Sequence, residues 1–149
     1  MKYASILLVI LLAPPRLSSS DWFVIHTVEG KPMTRDKLSL RLRAELAYLQ
    51  IPRDDWRWLI LEDGPEWDRA LISAGLIFAR IGHRPTRGAF SYLETRTTYI
   101  NSWVVEGGAE RLRFIVAHEY AHRTTLGEAK ANSMAREMIH KKRTQEPHQ

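Results

Sequence analysis

The side chains best equipped for chemistry are His118 and His122, with Glu119 beside the first of them, in the run Arg111-Leu112-Arg113-Phe114-Ile115-Val116-Ala117-His118-Glu119-Tyr120-Ala121-His122. On a helix, residues four apart stack on one face about one turn apart. His118 and His122 would then offer two imidazoles to a single metal ion. Glu119 stands about 100° round from His118, so it lies beside such an ion rather than behind it. From there its carboxylate can take a proton from a metal-bound water. The bland alternative is a half-exposed helix whose histidines merely cap or hydrogen-bond. The apolar run Phe114 to Ala117 favours a helix buried behind an active site.

A metal ion that activates water needs a third protein ligand and an open fourth position. Cysteine cannot provide the ligand, because the chain has none. The next acidic residue after His122 is Glu128, in Gly127-Glu128-Ala129-Lys130-Ala131-Asn132. Thr124, Thr125 and Gly127 can end the first helix, with Gly127 as breaker. Glu128 then opens a second helix of good helix formers, reaching about Lys142. A carboxylate in a first helical turn is electrostatically favoured, and this alone would account for Glu128 without a metal. Asn132, one turn further on the same face, is placed to orient a ligand, or it is a surface amide.

HExxH followed by ExxA[DN] resembles the pattern of the gluzincin metallopeptidases, notably the CAAX-prenyl-protease-like and small antirepressor-cleaving branches. The resemblance covers His118 to Asn132 and the helical residues on either side. It implies zinc held by His118, His122 and Glu128, with Glu119 as general base. The five-residue gap between His122 and Glu128 is shorter than in those branches. It equals the gap in metzincins, whose third ligand would fall on Glu128, although Thr125 stands at that motif's glycine.

The N-terminus reads as a secretory signal over residues 1–20. Lys2 gives a positive start, Tyr3 to Ala13 is apolar, and Ser18-Ser19-Ser20 suits cleavage before Asp21. The apolar run is short for a permanent anchor, the alternative being a retained one. No cysteine follows it for lipid attachment, and no second long apolar segment is present. Residues 21–149 are expected to form one domain, secreted or periplasmic, without disulfides. Its stability then rests on packing, including five tryptophans, and on bound metal. The chain carries a formal charge of +5. Removing Lys2 and Arg16 leaves 22 − 2 basic against 17 acidic residues, or +3, and the excess is dispersed. That pattern and export both argue against nucleic acid as a partner.

The elements around the motif follow from composition and spacing. Trp22 to Val28 reads as a strand ending in a Glu29-Gly30 turn. Leu38, Leu42, Leu46 and Leu49 mark an amphipathic helix from Arg35 to about Leu49, with Thr34 as N-cap. Trp56 to Leu61 is a strand. Pro65 begins a short helix through Ala74, closed by Gly75. Leu76 to Ile81 fits strand or helix, and His83 to Gly88 is loop. Ala89 to Leu93 and Thr95 to Val105 read as a strand pair or one long strand. The tail beyond Lys141 is polar and expected to fray.

The expected fold is α+β: a zincin-like minimal domain whose small, mainly antiparallel sheet packs on the HExxH helix, an N-terminal helix and a C-terminal helix. In zincin-like peptidases the last strand ahead of the helix is an open edge that binds an extended substrate, so the resemblance points to Thr97 to Trp103 for that role; the alternative is an edge strand that only completes the sheet. The expected activity is zinc-dependent hydrolysis of peptide bonds in a peptide or protein substrate, with Glu119 moving the proton from water to the leaving amine. Tyr92, Tyr99, His83 and His140 are candidates for stabilising the oxyanion, and nothing in the sequence chooses among them. Two other classes remain: a non-catalytic binding or inhibitory domain of the cell envelope with the same shape, and a zinc hydrolase for a non-peptide amide. Peptide deformylase shares HExxH but needs a cysteine ligand.

Overall fold

A computed structural model describes residues 21–76 and 88–145. The expected signal at 1–20, most of the ambiguous stretch from Leu76 to Ile81, the loop from His83 up to Gly88, and the last four residues of the tail lie outside the described residues. Among the described residues no helix is long and apolar enough to cross a membrane.

The elements run β1 (Phe23–Val28), β2 (Lys31–Met33), α1 (Lys37–Tyr48), β3 (Arg57–Leu61), α2 (Pro65–Ser73), β4 (Ala89–Tyr92), β5 (Thr97–Asn101), α3 (Ser102–Glu106), α4 (Ala109–Ala121) and α5 (Glu128–Gln145). The fold is α+β, and its five-stranded sheet has the order β2-β1-β3-β5-β4. The sheet is mixed and not mainly antiparallel. β1 and β3 pair in parallel, as do β3 and β5, and the two outer pairings are antiparallel. Parallel neighbours need a crossover, and α1 is the helix between β1 and β3.

β1 and β2 are joined by Glu29 (φ 50°) and Gly30 (φ 75°), the two left-handed residues of a tight hairpin. β2 escapes a sequence reading because its three exposed residues include a proline and carry no apolar alternation. The N-cap of α1 is Asp36, not Thr34. Its carboxylate accepts from the backbone N–H of Ser39 at 3.0 Å, satisfying one of the four open donors of the first turn.

The inner face of α1 is the expected leucine stripe. Leu42 and Leu46 are fully buried, each contributing about 2 kcal/mol of apolar transfer. They join Trp58, Ile60, Ile100, Val104, Val105, Leu112 and Val116 in the main core. A smaller cluster of Leu61, Trp67, Leu71 and Phe90 lies under α2.

β5 is an interior strand, with four of its five residues buried, so Thr97 to Trp103 is not the sheet edge. Among the described residues the edge on that side is β4. The strand also stops at Asn101, whose side chain caps α3 by accepting from the N–H of Trp103. Ser102 to Glu106 is therefore helix where the β-branched valines read as strand, a case of tertiary packing overriding propensity. α3 comes so close to the start of β4 that a Cβ on Gly88 would lie 2.5 Å from a Val104 methyl. Gly107 and Gly108 then lead into α4, and α5 packs back along it as a helix pair.

Candidate metal centre

α4 is helical through Ala121, and His122 is its C-cap with helical dihedrals, φ −62° and ψ −13°. The two imidazoles therefore stack as the i, i+4 spacing requires. Their ring centroids are 4.6 Å apart and nearly perpendicular, with the Nε2 atoms 3.0 Å apart. Six residues, His122 to Gly127, separate α4 from α5, whose first residue is Glu128. Its Oε2 is 3.2 Å from His118 Nε2 and its Oε1 is 3.6 Å from His122 Nε2.

Donors of one tetrahedral zinc at about 2.0–2.1 Å lie about 3.3 Å from one another. The three separations scatter around that value, and the donor set is two imidazole nitrogens and a carboxylate oxygen. His118, His122 and Glu128 thus fit a zinc ion in both chemistry and spacing. The short gap after His122 is sufficient because α5 folds straight back along α4.

The tautomers agree with ligation. His122 Nδ1 donates to the Thr125 carbonyl at 2.9 Å, which leaves Nε2 with its lone pair when the ring is neutral. Burial pushes the pKa of His118 down, and the neighbouring His122 adds to the shift. Glu128 and the Asn132 side chain oppose it without cancelling it. A neutral imidazole is the form that binds metal. Asn132 thus sits against the His118 ring, but Nδ1 of that ring is buried with no hydrogen-bond partner. An orphaned ring nitrogen opposite the ligating one is where a metal-bound histidine ordinarily finds a second hydrogen bond.

Glu119 is 5 % exposed and opens onto the same cleft as His118, His122 and Glu128. Ser91 Oγ on β4 donates to its Oε2 at 2.9 Å. The cleft has a volume of 630 Å³, runs along β4 and is bounded by the α4–α5 turn. Leu76, Leu93 and Leu126 line it and are exposed, Leu126 by 83 %. No Lys or Arg is among its described lining residues.

Of the oxyanion candidates, Tyr92 lines the cleft, and its hydroxyl donates to Glu94 at 2.9 Å. Tyr99 is stacked on Phe90 in the smaller apolar cluster, His140 is exposed on α5, and His83 is outside the described residues.

Three features escaped the sequence. Ser91 lies 28 residues from Glu119 and carries no motif. Arg123 looks like a surface cation after the motif, yet its guanidinium sits over Trp56 and Tyr120 and donates to Asp54 at 2.9 Å. It pins the end of α4 to the segment before β3. His26 is buried between two carboxylates, Asp36 on Nδ1 and Glu62 at 2.6 Å on Nε2. Strand composition put it in β1 without revealing which partners the start of α1 and the end of β3 would bring.

No protein-family model, curated protein or solved structure matches the chain.

Proposed function

We propose that the protein is an exported zinc metallopeptidase of zincin-like build. The observation that carries the reading is the convergence of His118, His122 and Glu128 on one point, with the Glu119 carboxylate in the same cleft. Zinc, when bound, acidifies a water and polarises a carbonyl. Glu119 takes the proton from that water and passes it to the leaving amine. Tyr92 lines the cleft and is a candidate donor to the oxyanion once its hydroxyl leaves Glu94.

The surroundings favour a peptide over a small polar substrate. Among the described residues β4 is a sheet edge beside the cleft, able to pair with an extended chain through backbone hydrogen bonds. The exposed leucines on the rim match apolar side chains of such a segment. Export is read from residues 1–20, and the absence of cysteine suits a chain that must be held by packing and metal.

The test is Glu119→Gln in the zinc-loaded protein. The variant should keep its zinc and lose hydrolysis of an unstructured protein such as casein by about 10³-fold or more. Cleavage at the wild-type rate would remove Glu119 as the base. Zinc binding with no hydrolysis by either protein would favour the non-catalytic domain.

A further inference from the structure

The Ser91 hydroxyl is held in a chain of hydrogen bonds that has only one consistent direction. Trp56 Nε1 can only donate, and it gives its proton to Thr98 Oγ1 at 2.9 Å. Thr98 Oγ1 is 2.9 Å from Ser91 Oγ. Ser91 has one proton and donates toward two oxygens of Glu119, the side-chain Oε2 at 2.9 Å and the main-chain carbonyl at 3.2 Å. Its proton must therefore go to Glu119, and Thr98 must give its own proton to Ser91. Trp56 and Thr98 are buried, at 5 % and 0 % exposure, so water does not compete for these groups. Each bond in such a chain polarises the next.

Resting on the peptidase reading, we infer that Ser91 is a positioning residue for the general base. The relay Trp56–Thr98–Ser91 fixes the Glu119 carboxylate through Oε2, on the side of the cleft where β4 would present a substrate. It reaches Glu119 from the sheet, independently of the helix that carries the histidines. The same hydroxyl also holds the Glu119 carbonyl near the end of α4, where Arg123 N–H bonds to Tyr120 O instead. A purely structural role in closing the helix is the alternative that a test must separate.

The test compares wild type, Ser91→Ala and Ser91→Thr as full chains. In zinc-loaded protein, Ser91→Ala should lower kcat about a hundredfold while KM and zinc affinity stay within about twofold. Ser91→Thr, which keeps the hydroxyl, should recover most of that loss. A crystal structure of the metal-free Ser91→Ala protein should show the Glu119 carboxylate turned away from its wild-type place. If Ser91→Ala does not fold, Ser91→Cys gives the same comparison, filling the site with a slightly larger side chain that is only a weak donor. Unchanged kcat, a parallel loss of zinc affinity, or a Glu119 carboxylate that stays in place would each overturn the inference. Should the wild type hydrolyse no peptide with zinc bound, the peptidase reading falls, and the metal-free structures still decide whether Ser91 sets the carboxylate.

Discussion

Glu128 carries the sharpest question among single residues, because a carboxylate in a first helical turn needs no metal to be there. Its oxygens sit 3.2 and 3.6 Å from the two Nε2 atoms, while its side chain is 65 % exposed, so position alone does not separate a ligand from a helix charge. Glu128→Ala should weaken zinc binding by more than about 100-fold, beyond what losing an outer hydrogen bond does. Glu110→Ala, which removes an exposed partner of Arg143, should leave zinc affinity as it is. Competitive titration against a chelating dye reads both, and equal affinities in the two variants would remove Glu128 from the site. That the four candidate residues lie together was legible because their geometry is local: one helical turn sets the histidines, and a six-residue step sets Glu128. Ser91 was not legible, because nothing local links a β4 hydroxyl to a helix that begins 18 residues later.

Between elements, the site depends on how α5 lies against α4. Ala131 and Ala135 are fully buried on α5, as Ala117 and Ala121 are on α4, and such small residues let two helix backbones approach closely. Ala131 is three residues from Glu128, on the same side of the helix. Ala131→Leu should therefore cost about 1–3 kcal/mol of stability through overpacking. It should also weaken zinc binding by moving Glu128, although the substituted side chain is not a ligand. Urea unfolding of the metal-free protein and zinc titration check the two parts separately. A destabilised variant with wild-type zinc affinity would show that the seam does not set Glu128. Element existence was mostly readable from periodicity: the leucines of α1, the apolar strands β1 and β3, and the helix formers of α5. Lateral order was not. Two adjacent β-rich runs fit an edge at either one, and only the burial of Thr97, Thr98, Ile100 and Asn101 puts β5 inside and leaves β4 outside. The end of β5 was missed as well, because Asn101 as an N-cap outweighs the strand preference of Val104 and Val105.

Across the whole molecule, stability should carry a pH signature from His26, which ties together β1, the start of α1 and the end of β3. Burial works against its charge, but the hydrogen bonds and charges of Asp36 and Glu62 outweigh burial and raise its pKa above 6.5. Asp36 is also disfavoured by burial, yet the bonds from Ser39 and His26 carry its pKa below 3.8. Ser102 donates to Glu62 at 3.2 Å, and Lys37, Arg41 and Glu106 line the adjoining cavity. A raised histidine pKa gives stability that is full below 6.5 and lost as pH rises through the folded-state value. A lowered aspartate pKa gives stability present above 3.8 and lost as pH falls through the folded-state value. The cluster therefore contributes most between about pH 4 and pH 6.5. Urea midpoints of the metal-free protein should fall from pH 6 to pH 8.5, and His26→Gln should flatten that fall. An identical slope in the variant would show that other groups set it.

Zinc should add to the same stability, since an ion bound only by the folded chain contributes about 2.7 kcal/mol at a free concentration of one hundred times Kd. The most direct measurement is the zinc retained per folded chain after chelation, reloading and removal of excess metal. One zinc ion per wild-type chain, lost in His118→Ala and in His122→Ala, is the result that convergence of the two imidazoles and Glu128 predicts. A folded wild-type chain that retains no zinc, or histidine variants that retain as much as wild type, would contradict it.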